Sequence, residues 1–178
     1  MLRLFVGLAL PQAVTARLGM LCAGLPGARW VEPAAMHITL RFIGEVVESA
    51  AAEIDDRLAR LEAPAFSLEL GGVGTFGEGI KTRAVWVGVT ASAALSHLQA
   101  KIESAVVRAG QPPEGRKFTP HVTVAHLNRP HPARLETFLA AVAPFRADPF
   151  LAAAFTLFES RLGKSGAHYT ALADYPLK

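Results

Sequence analysis

The residues best suited to chemistry form a motif that the sequence contains twice. Residues His37–Leu40 and His121–Val124 both read His-x-Thr-x, with an aliphatic residue at each x. Side chains alternate between the two faces of a strand, so each copy predicts an imidazole beside a hydroxyl, with two aliphatic side chains on the opposite face. Histidine titrates near neutral pH, so two imidazoles around one substrate can serve as acid and base.

The matching surroundings of the two copies favour function over coincidence, because a single His-x-Thr is typical of any strand with a polar face. Phe5–Leu8 matches Trp86–Val89 at an offset of 81 residues, and the motifs themselves match at an offset of 84. A near-constant offset in separate segments indicates duplication. We therefore expect one two-lobed domain over 1–178, with approximate repeats 2–71 and 83–158 and both motifs facing a central cleft.

Each half predicts the same order of elements: strand, helix, loop rich in proline and glycine, His-x-Thr strand, helix and strand. The first half predicts a strand over 2–10, a helix from Pro11 to Gly24, the first motif strand, a helix capped by Ser49, a strand over 65–70 and a glycine-rich stretch ending at Gly79. The second half predicts a strand over 83–89, a helix from Ser92 to Gly110, the second motif strand, a helix opened by His131 and Pro132, and strands over 148–160 and 167–173.

The composition predicts a folded protein with a modest preference for anions. Apolar residues make up 51% of the chain and charged residues 19%, which supplies a core and is too few charges for disorder. The net charge of +3 suits a small anionic substrate better than genomic DNA. Cys22 is the only cysteine, which excludes an internal disulfide. No apolar run approaches the about 18 residues of a membrane helix, so we expect a soluble, cytoplasmic monomer.

The paired motif and the order of the surrounding segments resemble the two-histidine (2H) phosphoesterase superfamily. Within it, the chain is most similar to the bacterial and archaeal RNA 2′,3′-cyclic phosphodiesterases, also called 2′-5′ RNA ligases. The similar segments are Arg3–Phe5 in the opening strand, Trp30–Glu45 around the first motif, Phe118–Val124 around the second, and Leu157–Ser160 with Gly166 and Tyr169 in the closing hairpin.

The resemblance implies an α+β fold in which each lobe is a largely antiparallel sheet with helices outside. It implies metal-independent hydrolysis of 2′,3′-cyclic phosphates to 2′-phosphates, with reversible 2′-5′ ligation, no cofactor, and RNA ends or small cyclic nucleotides as partners. It assigns His37 as general acid on the leaving 3′ oxygen and His121 as general base on water. The residues alone leave these two roles open, because the pair is symmetric. Thr39 and Thr123 are candidates for binding the phosphate.

One position departs from the family pattern. Relatives often carry an arginine near the phosphate, five residues after the second motif histidine, and this chain has His126 there. Strand alternation places His126 on the face opposite His121 unless the strand bends. We therefore expect His126 at a solvent-facing strand end rather than at the phosphate.

Four further residues are candidates for substrate binding. Arg41 shares the alternation of the first motif, which predicts either contact with substrate or a solvated strand end. Phe5 and Phe42 could stack on a base, although aromatic residues beside strands are also typical of a core. Tyr169 is a candidate through the closing hairpin of the family.

Two other patterns resemble a dinucleotide-binding motif and a metal site, but each lacks the context that such a site needs. Gly72–Gly77 matches the dinucleotide string Gly-x-Gly-x-x-Gly, but no helix follows it, which argues against a nucleotide-binding fold. His121, His126 and His131 recur every five residues, a spacing that suits neither a helix face nor a strand face, so we expect no metal site.

Two alternatives to an RNA cyclic phosphodiesterase stay open at this point. One is a non-catalytic module that binds RNA ends or nucleotides in the same cleft. The other is a 2H phosphodiesterase for a different substrate, such as an ADP-ribose cyclic phosphate or a 2′-5′ oligonucleotide. The presence of both histidines and both threonines favours an enzyme over the binding module.

Overall fold

The structure is a computed structural model that describes residues Met1–Lys178. Its strands and helices follow one another in nearly the predicted order. The strands are β1 (Leu2–Ala9), β2 (Arg29–Trp30), β3 (His37–Val46), β4 (Phe66–Leu68), β5 (Leu70–Phe76), β6 (Ala84–Val89), β7 (His121–His126), β8 (Phe150–Ala152), β9 (Ala154–Gly163) and β10 (Gly166–Pro176). The α-helices are α1 (Gln12–Gly19), α2 (Glu48–Ala59), α3 (Ala93–Arg108) and α4 (Pro132–Val142).

Two four-stranded antiparallel sheets each carry one copy of the motif. The first sheet has the strand order β10-β9-β1-β3, and β3 begins at His37. The second has the order β2-β7-β6-β5, and β7 begins at His121. A small third sheet pairs β4 with β8. The prediction of an α+β fold with a largely antiparallel sheet in each lobe is confirmed.

The two halves of the chain exchange strands. β9, from the second half, pairs with β1, while β5, which ends the first half, pairs with β6. The equivalent strands β4 and β8 pair with each other and place Ser67 opposite Leu151. These two residues are 84 apart, like the motif histidines, so an approximate twofold axis passes between them. The repeat bounds 2–71 and 83–158 stay a prediction, since neither sheet is built from one repeat alone.

A contiguous apolar core explains the periodic patterns of the sequence. β1 is buried on both faces from Leu4 to Leu8, and its alternate residues Leu4, Val6 and Leu8 pack into the core. Helix α3 buries residues spaced three or four apart (Leu95, Leu98, Ile102 and Val106), and α2 does the same with Ile54 and Leu58. All of these side chains belong to one cluster that also includes Ile38 and Val122 of the motifs. The motif strands are thereby held by the side chains that alternate with the histidines and threonines.

Helix ends were predicted correctly where a side-chain cap exists. The Ser92 hydroxyl accepts a hydrogen bond from the Leu95 amide, and His131 caps α4 through the Arg134 amide. The predicted cap at Ser49 is wrong, because α2 begins one residue earlier, at Glu48. Helix α1 ends at Gly19 rather than near Gly24, because the amides of residues 20–22 bond to carbonyls only three residues back, which tightens the chain into turns.

The glycine-rich stretch is a strand rather than a loop up to Phe76. Its glycines serve packing and curvature: the Trp86 indole crosses Gly74, where a Cβ would overlap the ring. Gly72 has φ +77° at an irregularity in the pairing with β6, a conformation that suits glycine. The glycine pattern therefore reflects sheet geometry, not a phosphate-binding loop. No helix of the protein is both long and apolar enough to cross a membrane.

Candidate active site

The structure brings both motifs to one cavity between the two sheets. The cavity measures about 150 Å³ and is lined by His37, Thr39, His121 and Thr123 together with Val31, Ala35, His126 and Tyr169. Because β3 and β7 each begin with the motif histidine, the two imidazoles sit at corresponding ends of their strands. The four residues singled out by the repeated motif therefore share one site.

A backbone carbonyl fixes the tautomer of each motif histidine. His37 Nδ1 lies 2.8 Å from the Ala35 carbonyl oxygen, and His121 Nδ1 lies 2.6 Å from that of Thr119. A carbonyl oxygen only accepts hydrogen bonds, so Nδ1 carries a hydrogen in both rings. Nε2 is therefore the atom that gains or loses a proton in each imidazole. The carbonyl comes from two residues before the histidine in both lobes, which repeats the local geometry.

The threonine hydroxyl of the first motif is coupled to its histidine. His37 Nε2 lies 3.0 Å from Thr39 Oγ1. When the ring is neutral, the hydroxyl donates to Nε2. When the ring is protonated, Nε2–H donates to the hydroxyl oxygen, and the hydroxyl hydrogen is free to bind another acceptor. Protonation of His37 thus prepares Thr39 to donate a hydrogen bond into the cavity.

Aromatic rings hold both imidazoles in place. His37 packs against Phe5, with ring centroids 4.8 Å apart, and Phe158 stacks on Phe5 from the neighbouring strand. His121 packs against Phe76 at 4.9 Å and Trp86 at 6.0 Å. Phe5 and Trp86 occupy equivalent places in the duplicated segments, and the exchanged strands β9 and β5 supply the second ring of each pair.

The electrostatic environment favours the neutral form of His37. Burial lowers its pKa below the ordinary value of 6.5, the hydrogen bond to the Ala35 carbonyl partly opposes this, and the charge of a protonated His121 lowers it further. The repulsion between the two rings also means that a state with one charged and one neutral imidazole is favoured over a doubly charged state. Such a mixed state is what acid–base catalysis by a pair requires.

Each motif strand contains a bulge, and the two bulges change the positions of the candidate residues Arg41 and His126. The pairing of β1 with β3 shifts register between Val6 and Gly7, so Leu40 and Arg41 are both buried although they are adjacent. The pairing of β6 with β7 shifts at the equivalent place, and Val124 and Ala125 are both buried. After each bulge, the alternation of the strand is reversed.

Neither expectation for Arg41 is correct, because the bulge turns it away from the cavity. Arg41 is 6% exposed and its Nε lies 2.5 Å from Glu103 Oε2 on α3. Its guanidinium also donates to the carbonyl oxygens of Phe42 and Pro112. Arg41 therefore ties β3 to the loop that precedes the second motif. It belongs to the scaffold of the site rather than to the substrate contacts.

The expected position of His126 is also corrected by the bulge. His126 is an exposed strand end, as predicted, but it lies on the cavity side with His121. Burial of part of the ring and the positive charge of Arg29, opposite it on β2, lower the pKa of His126. His131, the third histidine of the five-residue spacing, caps α4 and does not line the cavity. No group of three or more histidine, cysteine or acidic side chains is arranged to hold a metal ion.

The three aromatic candidates differ in their access to the cavity. Phe5 is only 3% exposed and has no free face for a base, so its role is to support His37. Phe42 is exposed, but its ring lies under the Arg3 guanidinium and does not line the cavity. Tyr169 does line the cavity, with its ring edge-on to His37 at 5.0 Å, and burial raises its pKa.

Sequence reasoning did not identify the supporting rings Phe76, Trp86 and Phe158 as part of the site. One signal for Trp86 was present, since it aligns with Phe5 at the 81-residue offset of the repeat. Phe76 and Phe158 lie 82 residues apart, at nearly the same offset. Extending the repeat alignment to all aromatic residues would have found these pairs.

Paired His-x-Thr strands around one cavity, on two antiparallel sheets, define a two-histidine phosphoesterase. Comparison with known protein families supports this class: the family model described as the 2′-5′ RNA ligase superfamily matches residues 13–163 of the sequence. The chain belongs to this superfamily, and the resemblance predicted from the sequence is confirmed.

Named relatives and solved structures extend this result. The chain is 44% identical over 105 residues to the RNA 2′,3′-cyclic phosphodiesterase of Aeropyrum pernix, a match that covers 58% of this chain and 59% of that protein. It is 31% identical to the enzyme of the same name from Archaeoglobus fulgidus, over 74% and 76% of the two chains. The crystal structure of E. coli LigT complexed with 3′-AMP superposes with a TM-score of 0.81 at 26% identity, covering 99% and 98%.

Proposed function

We propose that this protein hydrolyses the 2′,3′-cyclic phosphate of RNA ends or nucleotides and leaves a 2′-phosphate. The observation that carries the proposal is the shared cavity of His37 and His121, in which each Nδ1 is held by a carbonyl and each Nε2 is available for proton transfer. The names of the relatives from A. pernix and A. fulgidus support the same substrate class.

The proposed reaction moves two protons and exchanges one bond. His121 Nε2 removes a proton from water as the water oxygen bonds to phosphorus. The bond from phosphorus to the 3′ oxygen breaks, and Nε2–H of His37 protonates that oxygen. The product carries a 2′-phosphate and a free 3′-hydroxyl. Each positioned proton-transfer group contributes roughly 10²–10⁴-fold to such a step.

The threonines stabilise the charge that builds on the phosphate oxygens. Thr123 lines the cavity beside His121, and Thr39 is hydrogen-bonded to His37. In the reactive state His37 is protonated and donates to Thr39, so the Thr39 hydroxyl donates in turn to a phosphate oxygen. The acid and one phosphate contact are therefore prepared by the same protonation. The scheme uses two imidazoles and no metal ion.

The proposal extends to the molecule as a whole. Both histidines belong to one chain, which supports a monomer as the active form. We propose RNA ends or small cyclic nucleotides as its partners and the cytoplasm as its location. If the 5′-hydroxyl of a second RNA takes the place of water beside His121, the same proton transfers run as 2′-5′ ligation. The superfamily name fits this use of a second RNA in place of water.

The test is incubation with 2′,3′-cyclic nucleotides, with and without excess chelator, followed by phosphorus NMR to locate the product phosphate. We expect the 2′-phosphate in both samples. A cyclic phosphate of ADP-ribose and a 2′-5′ oligonucleotide are assayed in parallel, and turnover of only one of these would replace the proposed substrate. Binding of cyclic nucleotides without any turnover would identify a binding module. Activity that is lost with chelator and restored by a divalent ion would overturn the two-histidine scheme.

A further inference from the structure

A second and larger cavity meets the catalytic cavity at His37. Its volume is about 550 Å³, within the range of about 300–1,000 Å³ usual for small-molecule sites. The two cavities share Ala35, His37 and Tyr169. The larger one, called the α1 groove here, is otherwise lined by Ala9, Leu10, Gln12, Thr15, Ala16, Pro33, Ala34, Met36 and Phe158.

The geometry of the reaction determines on which side the nucleoside must lie. In a 2′,3′-cyclic phosphate, both ester oxygens belong to the same ribose. The attacking and leaving oxygens of phosphoryl transfer lie roughly in line. If water is beside His121 and the leaving 3′ oxygen is beside His37, the ribose and its base extend away from phosphorus on the His37 side. The α1 groove is the space that the structure provides there.

The chemistry of the lining suits a neutral, flat ligand. The α1 groove contains no acidic, lysine or arginine side chain, so it offers no fixed charge to attract a further phosphate. The rings of Phe158 and Tyr169 provide apolar surfaces, and the latter is 37% exposed. Aromatic surfaces bind bases of any sequence, because every base has a flat face. Thr15 and Gln12 are the polar side chains available to a base edge or a hydroxyl.

We propose that the α1 groove binds the nucleoside that carries the cyclic phosphate, a statement that rests on the proposed function. It holds the ribose and base through apolar contact rather than through charge. The scarcity of polar groups in the lining means that the groove accepts all four bases. A nucleoside in the groove is consistent with His37 as the ring beside the leaving sugar oxygen.

The test compares two tryptophan substitutions on α1. Ala16 lines the α1 groove, whereas Ala13 is exposed on the same helix and does not line it. The substrates are adenosine 2′,3′-cyclic phosphate and methyl riboside 2,3-cyclic phosphate, which lacks a base. We expect Ala16→Trp to raise KM for the nucleotide at least tenfold and to change KM for the base-free substrate by less than threefold. Ala13→Trp should change neither value.

A binding measurement keeps this proposal separate from the proposed function. Adenosine 2′-monophosphate is titrated into the wild type and both variants by calorimetry, with circular dichroism to confirm folding. We expect Ala16→Trp alone to weaken binding at least tenfold. Equal affinity in all three proteins, or an equal rise in KM for both substrates in Ala16→Trp, would overturn the groove as the nucleoside site. If Ala16→Trp weakens binding but the wild type shows no turnover, the proposed hydrolysis is overturned and the groove is retained as the nucleoside site.

Discussion

The two lobes build their histidines alike and then surround them differently. In both, a carbonyl two residues upstream holds Nδ1 and two aromatic rings pack against the imidazole. Only His37 has a third ring, from Tyr169, and a hydrogen bond between Nε2 and its threonine. The shared features place two imidazoles at one cavity, as the proposed acid–base pair requires. The differences distinguish the two imidazoles, which a symmetric duplication alone could not do.

The asymmetry comes from two strands that have no counterpart in the other half of the chain. β10 joins the first sheet beside β9 and brings Tyr169 to His37. β2 joins the second sheet at the opposite side of the motif strand, beside β7, and brings Arg29 next to His126. One addition therefore places an aromatic ring against His37, and the other places positive charge beside His126 in the lobe of His121. Four sets of variants test this comparison.

Removal of either imidazole should have the largest effect. We expect His37→Ala and His121→Ala to lower kcat by about 10²–10⁴-fold or more, since each deletes a positioned proton-transfer group. The double variant should cost little more than the worse single variant, because the two groups act as one unit. His97→Ala, at an exposed position on α3, is the matched control and should retain wild-type kcat. A folded His121→Ala protein with normal turnover would exclude the mechanism.

The threonines should have smaller and unequal effects. We expect Thr39→Ala and Thr123→Ala to lower kcat by about 10²–10³-fold if each removes one donor to developing charge. Only Thr39 is hydrogen-bonded to its histidine, so Thr39→Ala should also change the pH dependence, while Thr123→Ala should not. Thr39→Ser and Thr123→Ser keep the hydroxyl and serve as controls. Identical pH profiles for both alanine variants would mean that Thr39 does not act through His37.

The sequence predicted those parts of the site that depend on local patterns. Alternation placed the histidines and threonines together, and the helix starts at Ser92 and at His131–Pro132 were predicted because the start of a helix depends on neighbouring residues. The bulges at Leu40 and Val124 were not predictable, since they arise from register with β1 and β6. One extra residue in each strand buried Arg41 and turned His126 to the cavity. Interactions between strands distant in sequence thus decided the positions that alternation misplaced.

A glycine substitution tests whether the aromatic support of His121 matters. In Gly74→Ala the new Cβ overlaps the Trp86 indole, which must move, and His121 loses part of its packing. We expect kcat to fall about tenfold, since a small misplacement of a catalytic group has an effect of up to 10²-fold. Gly115→Ala is the control, because a Cβ there meets nothing and its φ is ordinary. Unchanged kcat in Gly74→Ala, with altered tryptophan fluorescence, would show that His121 is held without Trp86.

The smallest effect concerns the pH profile and separates acid from base. As the proposed acid, His37 must be protonated, so kcat/KM above both pKa values of the coupled pair is proportional to the protonated fraction of His37, whose pKa burial lowers below the ordinary 6.5. In Tyr169→Ala water reaches the ring, the burial penalty shrinks and the pKa rises, so kcat/KM should increase above both pKa values and stay unchanged below them. Leu172→Ala, exposed on the same strand, should leave the profile unchanged. If Tyr169→Ala instead lowers kcat/KM below both pKa values and leaves it unchanged above them, His37 is the base, and the roles of the two lobes are the reverse of those proposed.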